Sequence, residues 1–155
     1  MNLKAKTALL IATGFRVGHM PFAPGTIGSL EGLVLCYLLA RMSVASAVVI
    51  IIGVILFAIW VSHEAEKALG AKDPGCVVID EVAGMMVTMM GLPFTPLTAA
   101  AGFSLFRVLD IVKPPPIRQI QDSVPGGAGI VLDDVAAGVM ANLLLRLLLS
   151  ITEMA

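Results

Sequence analysis

The chain has 155 residues, of which 58% are hydrophobic and only 14% are charged, and its mean hydropathy is +0.97. Soluble domains average about 45 to 50% apolar and about 25% charged residues, so this composition excludes disorder and disfavours a freely soluble globule. The formal net charge of -1 and the aromatic content of 5% disfavour nucleic acid as a partner and favour membrane lipid. The length predicts a single domain over residues 1–155.

The N-terminal segment places Lys4 and Lys6 before the apolar residues 8–12, as a secretory signal peptide does. Arg16 and His19 follow closely and no small-residue cleavage site precedes them, so the sequence predicts a retained segment. An amphipathic helix that lies on a membrane surface is the favoured structure.

Four apolar segments are candidate membrane spans. Residues 42–62 carry no charge and are long enough to cross a hydrocarbon core of about 30 Å, so they are predicted to form a transmembrane helix. Residues 82–106 are also uncharged, but Pro93 and Pro96 near the centre would break a continuous helix. The weaker candidates are residues 29–40, which include Glu31, and residues 135–151, which include Arg146.

The break in residues 82–106 decides whether two blocks of charge can meet. If this segment crossed the membrane once, Glu81 and Arg107 would lie on opposite sides. A hairpin that turns at residues 93–96 returns both to one side, and its irregular backbone must then be covered by protein. We therefore predict an all-α fold, a compact multi-helix bundle of a polytopic integral membrane protein with one broken or re-entrant helical hairpin.

Adjacent carboxylates occur twice, as Asp80 with Glu81 and as Asp133 with Asp134, each at the expected entrance of an apolar helix. Acids in a first helical turn can satisfy free N–H groups, which accounts for one acid per helix. Two adjacent acids repel each other and are costly in so apolar a chain unless a cation compensates. Because hard oxygen ligands suit Mg²⁺ together with a substrate phosphate, a metal role is favoured over capping alone.

A second group of charges is Arg107, Asp110 and Lys113, which would share one stripe of a helix. The stripe is either a salt-bridge ladder on a solvated face or part of a phosphate site, and spacing alone does not decide between them. Three prolines then end the helix and hold Lys113 and Arg118 across a stiff turn, which suits a phosphate-binding pair.

Two glycine-rich segments precede apolar helices. In residues 24–30 the backbone N–H groups at Gly25 and Gly28, with the hydroxyls of Thr26 and Ser29, could hold an anion, although the same residues make an ordinary loop and cap. Residues 126–129 taken alone predict a turn.

The remaining nucleophiles and bases are sparse. Cys36 and Cys76 lack the spacing of a metal site, a disulfide framework or a phosphatase loop, and both are predicted to pack. His19 and His63 are more typical of satisfied or interfacial side chains than of a catalytic base.

Together the motifs resemble the phosphatidylglycerophosphatase A family over residues 14–142. The resemblance rests on five motifs in the same order, namely PGTIGSL (24–30), DPG (73–75), IDEVAGM (79–85), FRVLDIVKPPPI (106–117) and GGAGIVLDDVAAG (126–138). It implies a Mg²⁺-dependent, multi-pass lipid phosphatase of the bacterial inner membrane with its active site at the cytoplasmic face. Such an enzyme converts phosphatidylglycerophosphate to phosphatidylglycerol and inorganic phosphate in phospholipid biosynthesis.

The family motifs match individual positions of this chain, and the roles we expect there are of three kinds. The expected metal ligands are Asp80, Glu81, Asp133 and Asp134. The expected catalytic residues are Arg107, Asp110 and Lys113, and the expected phosphate-binding residues are Thr26, Gly28, Ser29, Lys113 and Arg118. We expect hydrolysis by a metal-positioned water, with the basic side chains offsetting the developing charge.

Two other functions compete with this prediction. A CDP-alcohol phosphotransferase is also a small polytopic Mg²⁺ enzyme, but its Asp-x2-Asp-Gly-x2-Ala-Arg pattern is absent from the sequence. A small membrane transport or assembly subunit could use buried charges as an ion path. That alternative predicts no phosphate release and leaves the glycine segments without a role. The sequence leaves the number of crossings and the oligomeric state open.

Overall fold

The computed structural model describes residues 3–153, and within that range the chain forms seven α-helices and no strand. The central helix is α4, in which every residue from 82 to 88 is buried against α2, α3, α5 and α7. The prediction of an all-helical bundle is confirmed. The helices are α1 (Leu3–Ala12), α2 (Pro24–Leu39), α3 (Val44–Leu69), α4 (Ile79–Thr88), α5 (Pro96–Val112), α6 (Ile117–Ser123) and α7 (Gly127–Glu153).

Among the described helices, α3 and α7 are long and apolar enough to cross a membrane. The predicted span at residues 42–62 falls on α3, which begins after Ser43, whose hydroxyl accepts the N–H of Ser46 at 3.1 Å. This helix continues beyond the apolar run to Gly70, and its last two turns include the charged residues Glu64 and Lys67. The weaker candidate at residues 135–151 lies within α7, while residues 29–39 lie in the shorter α2.

The helix breaks between α4 and α5, as the prolines predicted. Helix α4 ends at Thr88 and α5 begins at Pro96. Asn142 of α7 donates hydrogen bonds to the carbonyl oxygens of Thr88 at 2.8 Å and Met90 at 3.0 Å. Helix α7 therefore satisfies the carbonyl oxygens where α4 ends, whereas Gly91, Pro93 and Thr95 are exposed, so the predicted cover of the irregular backbone by protein is only partial.

Two smaller predictions concern the N-terminal helix and the cysteine thiols. Helix α1 packs on α3 through Ala8 and Ala12, and its position on a membrane surface stays a prediction. Cys36 and Cys76 are both free, and the buried Cys36 thiol donates to the carbonyl oxygen of Met85 at 3.5 Å. Cys36 thus packs within the core, as predicted.

The prediction of a turn at residues 126–129 is wrong, because α7 already begins at Gly127. Among residues 126–129, only Gly126 has left-handed backbone, with φ of 71°. A Cβ on Gly127 would lie 2.3 Å from the carbonyl oxygen of Ile59, so this glycine lets α7 approach α3. Asp133 and Asp134 consequently lie about two turns inside α7 and not at its entrance. Capping of free N–H groups therefore cannot account for this second acidic pair.

Helices α4 and α7 cross where Gly84 meets Gly138. A Cβ on Gly138 would lie 2.4 Å from the carbonyl oxygen of Gly84, so any larger residue must push the two backbones apart. We expect Gly138→Ala to lower the free energy of unfolding by about 1 to 3 kcal/mol, measured by thermal unfolding in detergent. Gly53→Ala is the matched control, because no atom lies within 4 Å of its added Cβ. Equal losses in the two variants would contradict the close crossing.

Candidate active site

Three carboxylates from two helices meet at one end of α4, and we call them the acidic cluster. Possible ligand atoms of Asp80 and Glu81 in the first turn of α4 and of Asp134 in α7 all lie within 4.8 Å of one another. Asp80 is 8% exposed and Asp134 is 3% exposed. Within the described residues, Asp80 Oδ1 and Glu81 Oε2 are buried without a hydrogen-bond partner. Because such orphaned oxygens are costly, the acidic cluster could hold a cation.

The electrostatics of the acidic cluster support the same inference. Burial raises the pKa of Asp80 well above its usual range, and the charges of Glu81 and Asp134 raise it further. Burial also raises the pKa of Glu81. Carboxyls held so close together keep protons unless a cation replaces them. The donor set of hard carboxylate oxygens fits Mg²⁺, so the residues present suit the metal that the sequence predicted.

Arg107 connects α5 to the acidic cluster. Its Nη1 lies 2.6 Å from Asp110 Oδ2 in the next turn and 3.9 Å from Glu81 Oε1. The same nitrogen donates to the Ser29 hydroxyl at 3.4 Å. Asp110 in turn is close enough to Asp134 for their charges to interact. The broken hairpin has therefore brought the charges around Glu81 and Arg107 together, as predicted.

The prediction that Lys113 shares a helical stripe with Arg107 and Asp110 is wrong. It ends α5 with a left-handed backbone, φ 46°, and its Nζ donates to Asp133 Oδ2 at 2.5 Å. Burial lowers the pKa of Lys113, but the hydrogen bond and the charge of Asp133 outweigh burial, so the pKa is raised and the side chain is charged. Only the step from Arg107 to Asp110 of the predicted ladder is formed.

Asp133 is not one of the three clustered carboxylates and pairs with Lys113 instead. Besides accepting from Lys113, it accepts the backbone N–H of Asp134 through Oδ1 at 3.0 Å. The structure thus groups three of the four predicted metal ligands and pairs the fourth with a lysine. A ligand role for Asp133 stays a prediction.

The first turn of α2 lies directly against the acidic cluster. A Cβ on Gly25 would lie 2.1 Å from Glu81 Oε1, and a Cβ on Gly28 would lie 2.8 Å from Cβ of Val78. The buried Ser29 hydroxyl donates to the carbonyl oxygen of Gly25 at 2.7 Å. These small residues therefore allow α2 to approach α4 closely. Their predicted role in phosphate binding stays a prediction.

Two predicted phosphate-binding side chains have no protein partner among the described residues. Thr26 follows Gly25 in the first turn of α2, and its side chain is half-buried with no hydrogen bond from its hydroxyl to the described residues. Arg118 is exposed on α6 and forms no ion pair within the described range. Both side chains are therefore free to contact a ligand.

Sequence reasoning missed the glycines that position the acidic cluster. A Cβ on Gly84 would lie 2.8 Å from the carbonyl oxygen of Asp134, so the absence of a side chain brings α4 beside the acid of α7. The signal was present in the two acidic motifs, since Gly84 follows Glu81 by three residues and Gly138 follows Asp134 by four.

Comparisons with known proteins identify the family of this chain. The family model for phosphatidylglycerophosphatase A matches residues 10–149. Phosphatidylglycerophosphatase A of Escherichia coli K12 is 39% identical over 133 residues, which cover 85% of this chain and 77% of the relative. The Haemophilus influenzae protein of the same name is 34% identical over 134 residues, which cover 85% of this chain and 82% of the relative.

A third relative is named for a different substrate. A Bacteroides thetaiotaomicron protein named "Putative phosphatidylinositol-3-phosphatase" is 36% identical over 145 residues, which cover 88% of this chain and 90% of the relative. No solved structure gives a significant match. The family match includes the acidic cluster, Arg107 and Lys113, and the chain belongs to the phosphatidylglycerophosphatase A family.

Proposed function

We propose that this protein hydrolyses phosphatidylglycerophosphate to phosphatidylglycerol and inorganic phosphate in phospholipid biosynthesis. The observation that carries the proposal is the acidic cluster, which lies beside Arg107 within a chain of this family. With a cation on the orphaned carboxylate oxygens, and with Arg107 Nε buried beside them without a partner among the described residues, this end of α4 suits a phosphate monoester better than a neutral ligand.

Mg²⁺ is the cofactor that we assign to the acidic cluster, with Asp80, Glu81 and Asp134 as its protein ligands. When bound, Mg²⁺ supplies Lewis-acid stabilisation of the phosphoryl oxygens. Asp133 then acts by holding Lys113, because its Oδ2 accepts the Lys113 ammonium at 2.5 Å.

The charged side chains of the protein bind the phosphate, transfer a proton and stabilise the developing charge. The Arg107 guanidinium, held at 2.6 Å by Asp110, faces the phosphate and offsets charge on its oxygens. Asp110 accepts the proton of the attacking water, while Lys113 stabilises charge on the departing glycerol oxygen, which takes up a proton from solvent to become the hydroxyl of phosphatidylglycerol. The bond between phosphorus and that oxygen breaks as the new bond to water oxygen forms. Thr26 and Arg118 complete the phosphate-binding surface, and the buried Gly28 and Ser29 support it by letting α2 approach α4.

The exposed surface of α3 supports the membrane position that we propose. Val49, Ile52 and Leu56 are 70%, 52% and 63% exposed, which favours contact with lipid tails. Ala83 of α4 packs against Ala58, so the acidic cluster lies near the end of this apolar surface, where Glu64 follows. We place α3 and α7 across the bacterial inner membrane, with the site at its cytoplasmic face.

A transport or assembly subunit is not favoured over this function. The family match and the grouping of charges at one end of α4 both support an enzyme site. A membrane ion path instead needs a series of polar groups along the bundle.

Substrate choice is the test of the proposal, since one relative carries a phosphatidylinositol-3-phosphatase name. Purified protein in mixed micelles should release phosphate fastest from phosphatidylglycerophosphate when it is compared with phosphatidate and phosphatidylinositol 3-phosphate at equal surface concentration. Faster release from phosphatidylinositol 3-phosphate would overturn the proposed substrate while keeping the lipid phosphatase reaction.

A further inference from the structure

The loop between α1 and α2, residues 14–23, exposes large apolar side chains at the active-site end of the bundle, and we call it the entrance loop. Phe15 is 75% exposed, Met20 is 50% exposed and Phe22 is 83% exposed. Arg16 is also exposed. Isolated exposed apolar residues are ordinary, but three of them with a cation in one short loop favour an interaction surface.

The backbone of the entrance loop is firmly held. The N–H of Gly18 donates to the carbonyl oxygen of Thr13 at 2.9 Å. A Cβ on Gly18 would lie 1.8 Å from the carbonyl oxygen of Cys76, so the loop packs directly on the segment before α4. Phe15 and Arg16 keep left-handed backbone, with φ of 53° and 83°. Such strain persists only where the surrounding structure fixes it, so these side chains are presented outward by a rigid loop.

The entrance loop is also contiguous with the acidic cluster on both sides. Three residues after Phe22, Gly25 lies against Glu81 and Arg107. At the base of the loop, the carbonyl oxygen of Ala12 accepts the N–H of Val78 at 2.8 Å, just before the acids of α4. Any molecule that covers the entrance loop therefore lies at the border of the acidic cluster.

We propose that the entrance loop inserts Phe15, Met20 and Phe22 into the interface of an anionic phospholipid layer and delivers the lipid headgroup to the acidic cluster. Aromatic side chains at headgroup level anchor proteins in an interface, and a nearby arginine favours anionic lipid. Ala12 at the base of the loop packs in one cluster with Val61 and Ala65, where the apolar run of α3 gives way to charge, so the loop begins near the end of the lipid-facing surface. This inference rests on the proposed function, which supplies an anionic lipid as substrate.

A fluorescence experiment tests the docking without any need for activity. Trp60, the single tryptophan, is replaced by Phe, and Phe22→Trp then provides one reporter in the entrance loop. In vesicles of phosphatidylcholine and phosphatidylglycerol we expect blue-shifted emission and quenching by lipids brominated on the acyl chain. Lys72→Trp in the same background is the control, because Lys72 is exposed beyond the charged end of α3 and should report water. Emission from position 22 that is red-shifted and quenched only by aqueous iodide would overturn the proposal.

The same experiment separates lipid from a protein partner. Shielding of position 22 from both brominated lipid and iodide would mean that a second copy or another protein covers the loop, and this outcome also overturns the proposal. Because emission is read without turnover, failure here is distinct from failure of the proposed reaction.

Kinetics give the functional test. Phe15→Ser with Phe22→Ser should raise the KM for long-chain phosphatidylglycerophosphate in mixed micelles several-fold. The kcat should be unchanged for a short-chain, water-soluble analogue of the same lipid, since neither phenylalanine contacts the reacting phosphate. Equal losses on both substrates would contradict a docking role and indicate damage to the site.

Discussion

Asp134→Asn should reduce phosphate release from phosphatidylglycerophosphate by at least about 100-fold while the helical bundle stays folded. Loss of a residue that merely supports a metal ligand costs about 10 to 100-fold, so loss of a ligand should cost no less. The fold should survive because the side chain keeps its size. Neutralising one member of the acidic cluster also relieves repulsion from Glu81 and Asp80.

Thermal unfolding gives this prediction a second measurement that does not depend on turnover. In the wild-type protein, Mg²⁺ should raise the melting temperature because a ligand of the native state stabilises it. Asp134→Asn should abolish that shift and should be at least as stable as wild type without metal. Asp122→Asn is the matched control, since Asp122 is exposed on α6 outside the acidic cluster. A metal response that survives in Asp134→Asn would contradict the assigned site.

Lys113→Gln should destabilise the protein by about 3 kcal/mol, because it leaves Asp133 without its partner. The Asp133 side chain is 3% exposed, whereas that of Lys113 is 24% exposed and can reach water. Asp133→Asn alone should therefore cost less than Lys113→Gln. The double variant should be more stable than Lys113→Gln, because removing the acid removes the unpaired buried charge.

Denaturant unfolding of the four proteins in detergent completes this double-mutant cycle. The control is Lys4→Gln, which breaks the exposed pair with Glu64 at 3.4 Å and should cost less than about 1 kcal/mol. Losses from Lys113→Gln and Asp133→Asn that simply add would contradict a buried ion pair.

The sequence predicted the fold best where one physical constraint left few alternative structures. Pro93 and Pro96 within an uncharged segment excluded a continuous helix, and the need to reunite Glu81 with Arg107 favoured a hairpin. The structure confirms both inferences, with the two side chains 3.9 Å apart. The uncharged residues 42–62 predicted an apolar helix, and α3 is long and apolar enough to cross a membrane.

The errors arose where tertiary packing overrides local preference. Glycine favours turns, yet Gly127 starts a helix because only a residue without a side chain fits beside Ile59. Lys113 was placed on a helical stripe, but the helix ends at that residue and its side chain pairs with Asp133 of α7. No pattern within α5 could reveal a partner twenty residues away.

The spacing of the acids in the sequence also could not predict that Asp133 and Asp134 have different partners. Neighbouring residues on a helix point in different directions, so two adjacent acids need not serve one site. Asp134 joins Asp80 and Glu81, whereas Asp133 faces Lys113. This division depends on the rotation of α7 against α4, which the contact between Gly84 and Gly138 determines.

We propose above all that the acidic cluster performs metal-dependent hydrolysis of phosphatidylglycerophosphate. The most direct test measures phosphatidylglycerol and inorganic phosphate together, from purified protein in mixed micelles, with Mg²⁺ or with chelator. Equal amounts of both products, formed only with Mg²⁺ and lost in Asp134→Asn but not in Asp122→Asn, are the predicted result. Full turnover in the presence of chelator, or no turnover by folded wild-type protein with Mg²⁺, would contradict the claim.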